Sequence, residues 1–133
     1  MRVIKVLVAL LATVTFFVLL AQTDADYMGW MKAAVASKGK VAKGIAAKDK
    51  GVATDAKVME DSFKGMEDYW TKKGVADATG FAKTARTASA DAAKAIAAGD
   101  FDAANAAMTT VGGTCGGCHM VHRAKGDSGY QIK

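Results

Sequence analysis

A chain of 133 residues, 51% of them hydrophobic, is long enough for one domain with a single core and too apolar to be disordered. The formal charge is +5, but the lysines are spread along the sequence, so we expect solvated helix faces and no nucleic-acid interface. Proline is absent and alanine is abundant, while alternation of β-branched and aromatic residues is rare. The composition therefore favours long helices over strands.

Residues 1–25 have the layout of a secretory signal peptide. A short basic start with Arg2 and Lys5 precedes an uncharged run over residues 6–21, and polar residues follow it. An uncleaved membrane anchor is the alternative, because the run is close to the length of a membrane span. We expect residues 26–133 to form an exported, periplasmic domain that is attached to the membrane only if this leader is retained.

The first predicted helix covers residues 26–48, with Asp26 as a candidate N-cap. Its apolar residues recur at helical spacing and are expected to face the core. This stripe consists of Met28, Met31, Val35, Ala42 and Ile45.

The second and third predicted helices cover residues 52–73 and 77–98, and Gly74 and Gly99 are expected to end them. The second helix carries a heptad-like seam formed by Val52, Ala56, Met59, Phe63, Met66 and Trp70. The third helix has a stripe dominated by small side chains, formed by Phe81, Ala85, Ala88, Ala92 and Ile96. A stripe of this kind permits a neighbouring helix to approach closely.

The fourth predicted helix covers residues 101–125 and follows Asp100, a candidate N-cap. Its seam continues at regular spacing through Phe101, Ala104, Met108, Val111, Cys115, Cys118 and His122. Residues 126–133 are expected to form a short frayed tail. Four helices with short connections predict an all-α fold, an antiparallel four-helix bundle.

The sequence Cys115-Gly116-Gly117-Cys118-His119 matches the attachment motif of c-type haem at each defined position. Cysteines three residues apart lie on nearly the same face of a helix, where both can bond to one edge of a haem. The adjacent histidine is then placed to ligate the iron from the proximal side. We therefore expect one haem c, bound through two thioethers near the C-terminal helix.

Three other kinds of site contain a Cys-x-x-Cys pair. A thioredoxin-like redox site requires a strand before the helix, and the sequence predicts none there. A zinc site needs two further ligands, and only His119 and His122 are available, at unsuitable spacing. A structural disulfide between these two positions of a helix is strained. The motif consequently favours haem over all three.

The position of the motif restricts the sixth ligand of the iron. Only 14 residues follow His119 in this sequence, and the adjacent Met120 cannot reach the opposite face of the haem. His122 lies on the side that His119 already occupies, so we expect it to be a packing residue. Any sixth ligand is therefore expected to come from an earlier helix.

These features resemble the class II c-type cytochromes, the cytochrome c-prime family, which are four-helix bundles. The likeness is most specific in residues 99–104, in Val111-Gly112, in the haem motif, and in Arg123, a basic residue four positions after the histidine. In helix number and length it extends over residues 26–125. The resemblance implies that Arg123 lies close to the haem, and a surface arginine is the alternative.

The family also offers a residue of the first helix over the distal haem face, and Met31-Lys32 matches that position. In one branch of the family this residue is a methionine that ligates iron, which gives a six-coordinate electron carrier. In the other branch it only blocks the face, and five-coordinate iron binds small gases such as nitric oxide. The resemblance thus implies Met31 as a ligand, with Met28 as its rival, although a methionine at helical spacing is commonly core filler.

The expected function is therefore the transfer of single electrons between redox partner proteins, and not enzymatic catalysis. A gas-binding protein with five-coordinate haem is the first alternative. A structural or assembly module is the second, and the haem motif counts against it. A homodimer is a further expectation from the resemblance, although the chain has Tyr27-Met28 where many members have Arg-Gln.

Overall fold

A computed structural model describes residues 22–133, so the predicted signal peptide lies almost wholly outside the described residues. This part of the chain is dominated by four helices, as predicted. They are α1 (Asp24–Ala46), α2 (Ala53–Lys73), α3 (Ala76–Ala98) and α4 (Phe101–His122), with a short 3-10 helix at Lys50–Val52 before α2. None of the helices in residues 22–133 is both long enough and apolar enough to cross a membrane.

The start of α1 is fixed by a capping box. The Thr23 hydroxyl accepts a hydrogen bond from the Asp26 backbone N–H at 3.1 Å, and the Asp26 carboxylate accepts one from the Thr23 N–H at 2.7 Å. Asp26 is therefore the third helical residue, and its prediction as the N-cap was wrong. The helix therefore begins two residues earlier than predicted, after Thr23 with its extended backbone, and it also ends two residues earlier, at Ala46.

The predicted ends of α2 and α3 are confirmed. Gly74 and Gly99 both adopt left-handed backbone conformations, with φ of 71° and 79°, which a side chain would disfavour. Asp100 then caps α4 by accepting a hydrogen bond from the Ala103 N–H at 2.9 Å. The two helix-to-helix connections consequently need only two residues each.

The core consists mainly of the predicted seams of α2, α3 and α4. Each seam contributes residues that are buried and that belong to one continuous cluster. From these three helices the cluster includes Ala56, Met59, Phe63, Met66, Trp70, Ala85, Ala88, Ala92, Ile96, Ala104, Met108 and Val111. The heptad-like spacing therefore identified the buried faces of these three helices correctly.

The buried face of α1 differs from the prediction. This helix buries a narrower set of mostly small residues: Tyr27, Ala34, Ser37, Val41 and Gly44. Three members of the predicted stripe, Met28, Met31 and Ile45, are half-buried and pack against the core cluster, whereas Val35 is 62% exposed. The small residues are the buried ones because α1 and α2 approach closely at this face. Trp30 of α1 lies directly over Gly65 of α2.

A β-hairpin follows α4 where a frayed tail was predicted. Strands β1 (Arg123–Gly126) and β2 (Gly129–Ile132) pair in antiparallel register, and the turn between them uses Gly129 at a positive φ of 117°. The helix therefore ends at His122 and not at Lys125. The hairpin is held in place because the Lys133 N–H donates to the His122 carbonyl at 3.0 Å and Ile132 packs against the core.

The contact between Trp30 and Gly65 gives the first testable prediction. A Cβ atom at position 65 would lie 2.5 Å from the Trp30 ring, so Gly65→Ala should destabilise the protein by about 1–3 kcal/mol. Gly39→Ala in α1 is the matched control, because no atom lies within 4 Å of its new methyl group. The control should instead stabilise the helix by about 0.5–1 kcal/mol. Equal effects of the two substitutions on chemical denaturation would contradict this description of the α1–α2 contact.

Candidate functional site between α1 and α4

The predicted site residues of α1 and α4 lie along one crevice. Met31 on α1 and Cys115, Cys118 and His119 on α4 are all half-buried. Met31 and His119 line the same three adjoining pockets, and Cys115 lines two of them. The fold therefore brings the proposed ligands from two distant parts of the sequence to a common place.

The pocket closest to the cysteines is narrow and aromatic. Its free volume is about 30 Å³, comparable to the volume of one water molecule. Met31, both cysteines and His119 line it together with four aromatic side chains: Tyr27, Phe63, Trp70 and Phe81. The sulfur atoms thus lie against an almost wholly apolar wall.

The other two pockets are wider and open to solvent, with volumes of about 380 and 310 Å³. Both are lined by Met31 and Val35 from α1 and by His119 from α4. Met31 and Val35, two residues of the predicted α1 stripe, therefore face the haem motif across the crevice. Lys32 lines one pocket and Lys38 the other, and none of the described residues that line the three pockets is acidic.

Gly117, the second glycine of the haem motif, has a packing role. A Cβ atom on Gly117 would lie 2.8 Å from the Phe81 ring, whereas one on Gly116 would meet nothing within 4 Å. Phe81 therefore reaches the backbone of α4 only because position 117 has no side chain. The predicted stripe of α3 included Phe81, but nothing in the sequence assigned this contact to the site.

Burial sets the protonation states of the motif. It raises the pKa of both thiols, that of Cys118 to about 11, with the Asp77 carboxylate adding to the effect on Cys118. Burial also lowers the pKa of His119, and the nearby Arg123 cation lowers it further. At neutral pH the thiols are consequently protonated, and the imidazole is in the neutral form that binds metal ions.

Four side chains, one from each helix, form a cluster beside the motif. The Trp70 indole N–H donates to the Tyr27 hydroxyl at 3.1 Å, and the Trp70 ring lies 5.1 Å from that of His122. His122 Nε2 is 2.8 Å from a carboxylate oxygen of Asp77, and this hydrogen bond is the main cause of the lowered pKa of Asp77. His122 is thus a packed residue, as the sequence suggested. Its partners were not predicted, because they come from three other helices.

Arg123 lies at the edge of the crevice and is exposed. Its guanidinium is 4.0 Å from the centre of the Tyr130 ring, and Arg123 lines the largest pocket together with Met28, Met31 and His119. The structure therefore brings Arg123 and Met28 to the crevice as well, but at its outer side and away from the cysteines.

Within residues 22–133, no group of three or more histidine, cysteine, aspartate or glutamate side chains could hold a metal ion on its own.

Comparisons of the chain with protein-family models, with curated proteins and with solved structures returned no match.

The two glycines of the motif provide the second prediction. In the chain made without haem, Gly117→Ala should displace the Phe81 ring and lower the melting temperature, because the ring is in contact with the α4 backbone. Gly116→Ala changes the same motif by the same methyl group in open space, and it should leave the melting temperature equal or slightly higher. A larger decrease in melting temperature for Gly116→Ala than for Gly117→Ala would contradict the contact between Gly117 and Phe81.

The raised pKa of the thiols provides the third prediction. In the folded chain made without haem attachment, alkylation of Cys118 should still accelerate above about pH 9, because only the thiolate reacts. The denatured chain is the control, and its alkylation should level off above an ordinary thiol pKa of about 8.5. A plateau near neutral pH in the folded chain would indicate a thioredoxin-like thiolate, and it would contradict the environment described here.

Proposed function

We propose that the chain is an exported electron-transfer protein of the class II c-type cytochrome kind, with one haem attached to Cys115 and Cys118. His119 and Met31 ligate the iron in this proposal. The observation that carries it is the placement of Met31 from α1 and His119 from α4 in the same three pockets, beside the cysteine pair.

The residues around the crevice suit a haem chemically. Two neutral thiols are available for thioether bonds, a neutral imidazole is adjacent, and the surrounding walls are apolar. Lys32, Lys38 and Arg123 supply positive charge for the carboxylates of a haem, since no acidic residue among those described lines the pockets. The aromatic side chains that narrow the pocket at the cysteines, Phe63 and Phe81 among them, must move to admit a porphyrin.

Each part of the site has a separate role in this proposal. A bound haem supplies a one-electron redox centre. The thioether of Met31 favours ferrous iron and raises the reduction potential relative to a second histidine ligand. The apolar wall formed by Tyr27, Phe63 and Trp70 excludes water and disfavours additional charge. Taken together, these residues serve electron exchange with a partner protein and not turnover of a substrate.

The proposed architecture is an antiparallel bundle that carries the haem near α4. It is supported by the two-residue connections after α2 and α3, which are too short for a crossover. The proposed export to the periplasm rests on the basic start and uncharged run of residues 1–21, which lie outside the described part of the chain.

Binding of a small gas at a five-coordinate haem is the second candidate function. The packing of Met31 against the core cluster favours it, because a methionine held by core contacts can block the face of a haem without ligating the iron. The two functions differ in whether the Met31 sulfur occupies the sixth position. Substitution of Met31 decides between them.

The fourth prediction concerns haem attachment. The exported protein should have the mass of the processed chain plus one haem, and this haem should resist extraction by acidified acetone. Cys115→Ala or Cys118→Ala should leave at most one thioether, and the double substitution should leave none. Thr114→Ala, next to the motif, is the control and should retain the haem. A freely extracted haem, or a mass that shows two bare thiols, would contradict the proposal.

The fifth prediction concerns the sixth ligand. With Met31 bound to iron, the protein should be low-spin, and Met31→Ala should become high-spin and bind carbon monoxide readily. Met28→Ala, one turn away at the same pocket, is the matched control and should remain low-spin. A protein that is already high-spin before substitution would support the gas-binding function. Loss of the low-spin spectrum in Met28→Ala alone would transfer the ligand role to Met28.

A further inference from the structure

The β-hairpin lies beside the crevice and forms one side of its largest pocket. Tyr130, Gln131 and Ile132 of β2 line this pocket opposite Met28 and Met31 of α1. The same three residues line a second pocket together with Asp24, Ala25 and Met28 at the start of α1. Met28 therefore borders both pockets that the hairpin lines, and Met31 lies between the hairpin and the haem motif.

Three contacts fix the hairpin in this position. The Arg123 guanidinium lies 4.0 Å from the centre of the Tyr130 ring, and the Lys133 N–H donates to the His122 carbonyl at 3.0 Å. The Ile132 side chain packs against the core cluster. Since Arg123 and His122 follow directly after the haem motif, the hairpin is anchored to the turn of α4 that carries His119.

We propose that the β-hairpin is an access wall that determines which small molecules reach Met28, and the side of Met31 that faces the largest pocket. Tyr130 and Ile132 are its specificity-determining residues. Of the described residues that line this pocket, Lys32 and Arg123 carry a permanent positive charge and none is acidic, so it admits small neutral or anionic molecules and disfavours cations. Any effect of the wall on the iron rests on the proposed function. The wall itself can be tested through the oxidation of methionine side chains alone.

The methionines of the chain provide built-in probes for the test. The rate at which a thioether is oxidised to the sulfoxide increases with the exposure of the sulfur. Mass spectrometry of peptides measures the extent of this oxidation at each methionine. Met120 is 83% exposed and reports the reactivity of the oxidant, while the fully buried Met59 reports global opening of the fold. Met28 and Met31 report access past the hairpin. Hydrogen peroxide serves as the small oxidant and tert-butyl hydroperoxide as the bulky one.

In the unmodified chain, hydrogen peroxide should oxidise Met28 much faster than tert-butyl hydroperoxide does, with both rates normalised to Met120. Tyr130→Ala, and a chain that ends at Gly126, should raise the rate with the bulky oxidant severalfold at Met28 and leave Met59 protected. Tyr130→Phe keeps the ring on Arg123 and should behave like the unmodified chain. Val58→Ala removes an exposed apolar side chain elsewhere and should also change nothing.

Two results would overturn the proposal. One is an unchanged rate at Met28 after the hairpin is removed. The other is a parallel rise in the oxidation rates of Met28 and Met59, which would show that the hairpin stabilises the whole fold and does not control access. Haem attachment is scored on the same samples, so failure of the proposed function is seen separately. If Met31 is protected as an iron ligand in every variant, Met28 still reports on the wall.

Discussion

The close packing of α1 on α2 is the constraint on which the rest of the site depends. Trp30 of α1 covers Gly65 of α2, and Gly44 of α1 makes room for Val52 of the 3-10 helix that precedes α2, so both contacts depend on a residue without a side chain. This contact uses the narrow face with Ala34 and leaves the larger apolar side chains turned elsewhere. Met31 and Val35 consequently line the crevice shared with α4, where Met31 is half-buried against the core cluster and Val35 is exposed. Full burial of a side chain of this type is worth about 1.5–3 kcal/mol, so a group that covered this stripe would stabilise the fold.

The seam of α4 supplies the other wall of the crevice. Upstream of the haem motif this seam is buried in the core at Ala104, Met108 and Val111, and it becomes half-buried at the cysteines. The change occurs because α4 packs closely on α3 but only loosely on α1. The thiols therefore lie at the boundary between core and crevice, where burial keeps them protonated while the crevice leaves them accessible.

Most of the helical architecture was predictable from the sequence because strong periodic seams and glycine stops determine it. The seams of α2 and α4 were assigned correctly, and so were the ends at Gly74 and Gly99. The assignment was only partly right for α1, where Met28, Met31 and Ile45 pack at the edge of the core and Val35 and Ala42 are exposed. Helical periodicity does not tell whether a stripe packs on another helix or lines a crevice. The capping role of Thr23 was also missed, because Asp26 is an equally good N-cap by residue type.

The site itself was only partly predictable. That Cys115, Cys118 and His119 lie together was predictable, because their spacing along one helix determines it. The contacts of Phe81 with Gly117 and of Asp77 with His122 join residues that are far apart in sequence, and no local pattern encodes them. The β-hairpin was missed for a different reason. Its short polar strands lack the apolar alternation that identifies a strand, and Arg123, Tyr130 and Ile132 stabilise it through contacts outside the ladder.

The most direct test of the central claim is the spectrum of the denatured, reduced protein in alkaline pyridine. Pyridine replaces the axial ligands, so the position of the sharp α band then reports only how many haem vinyl groups have been converted to thioethers. Attachment through both Cys115 and Cys118 predicts the band position of a haem with two thioethers, at one haem per chain. The band position of a haem with both vinyl groups intact, or the absence of any haem band, would contradict the account.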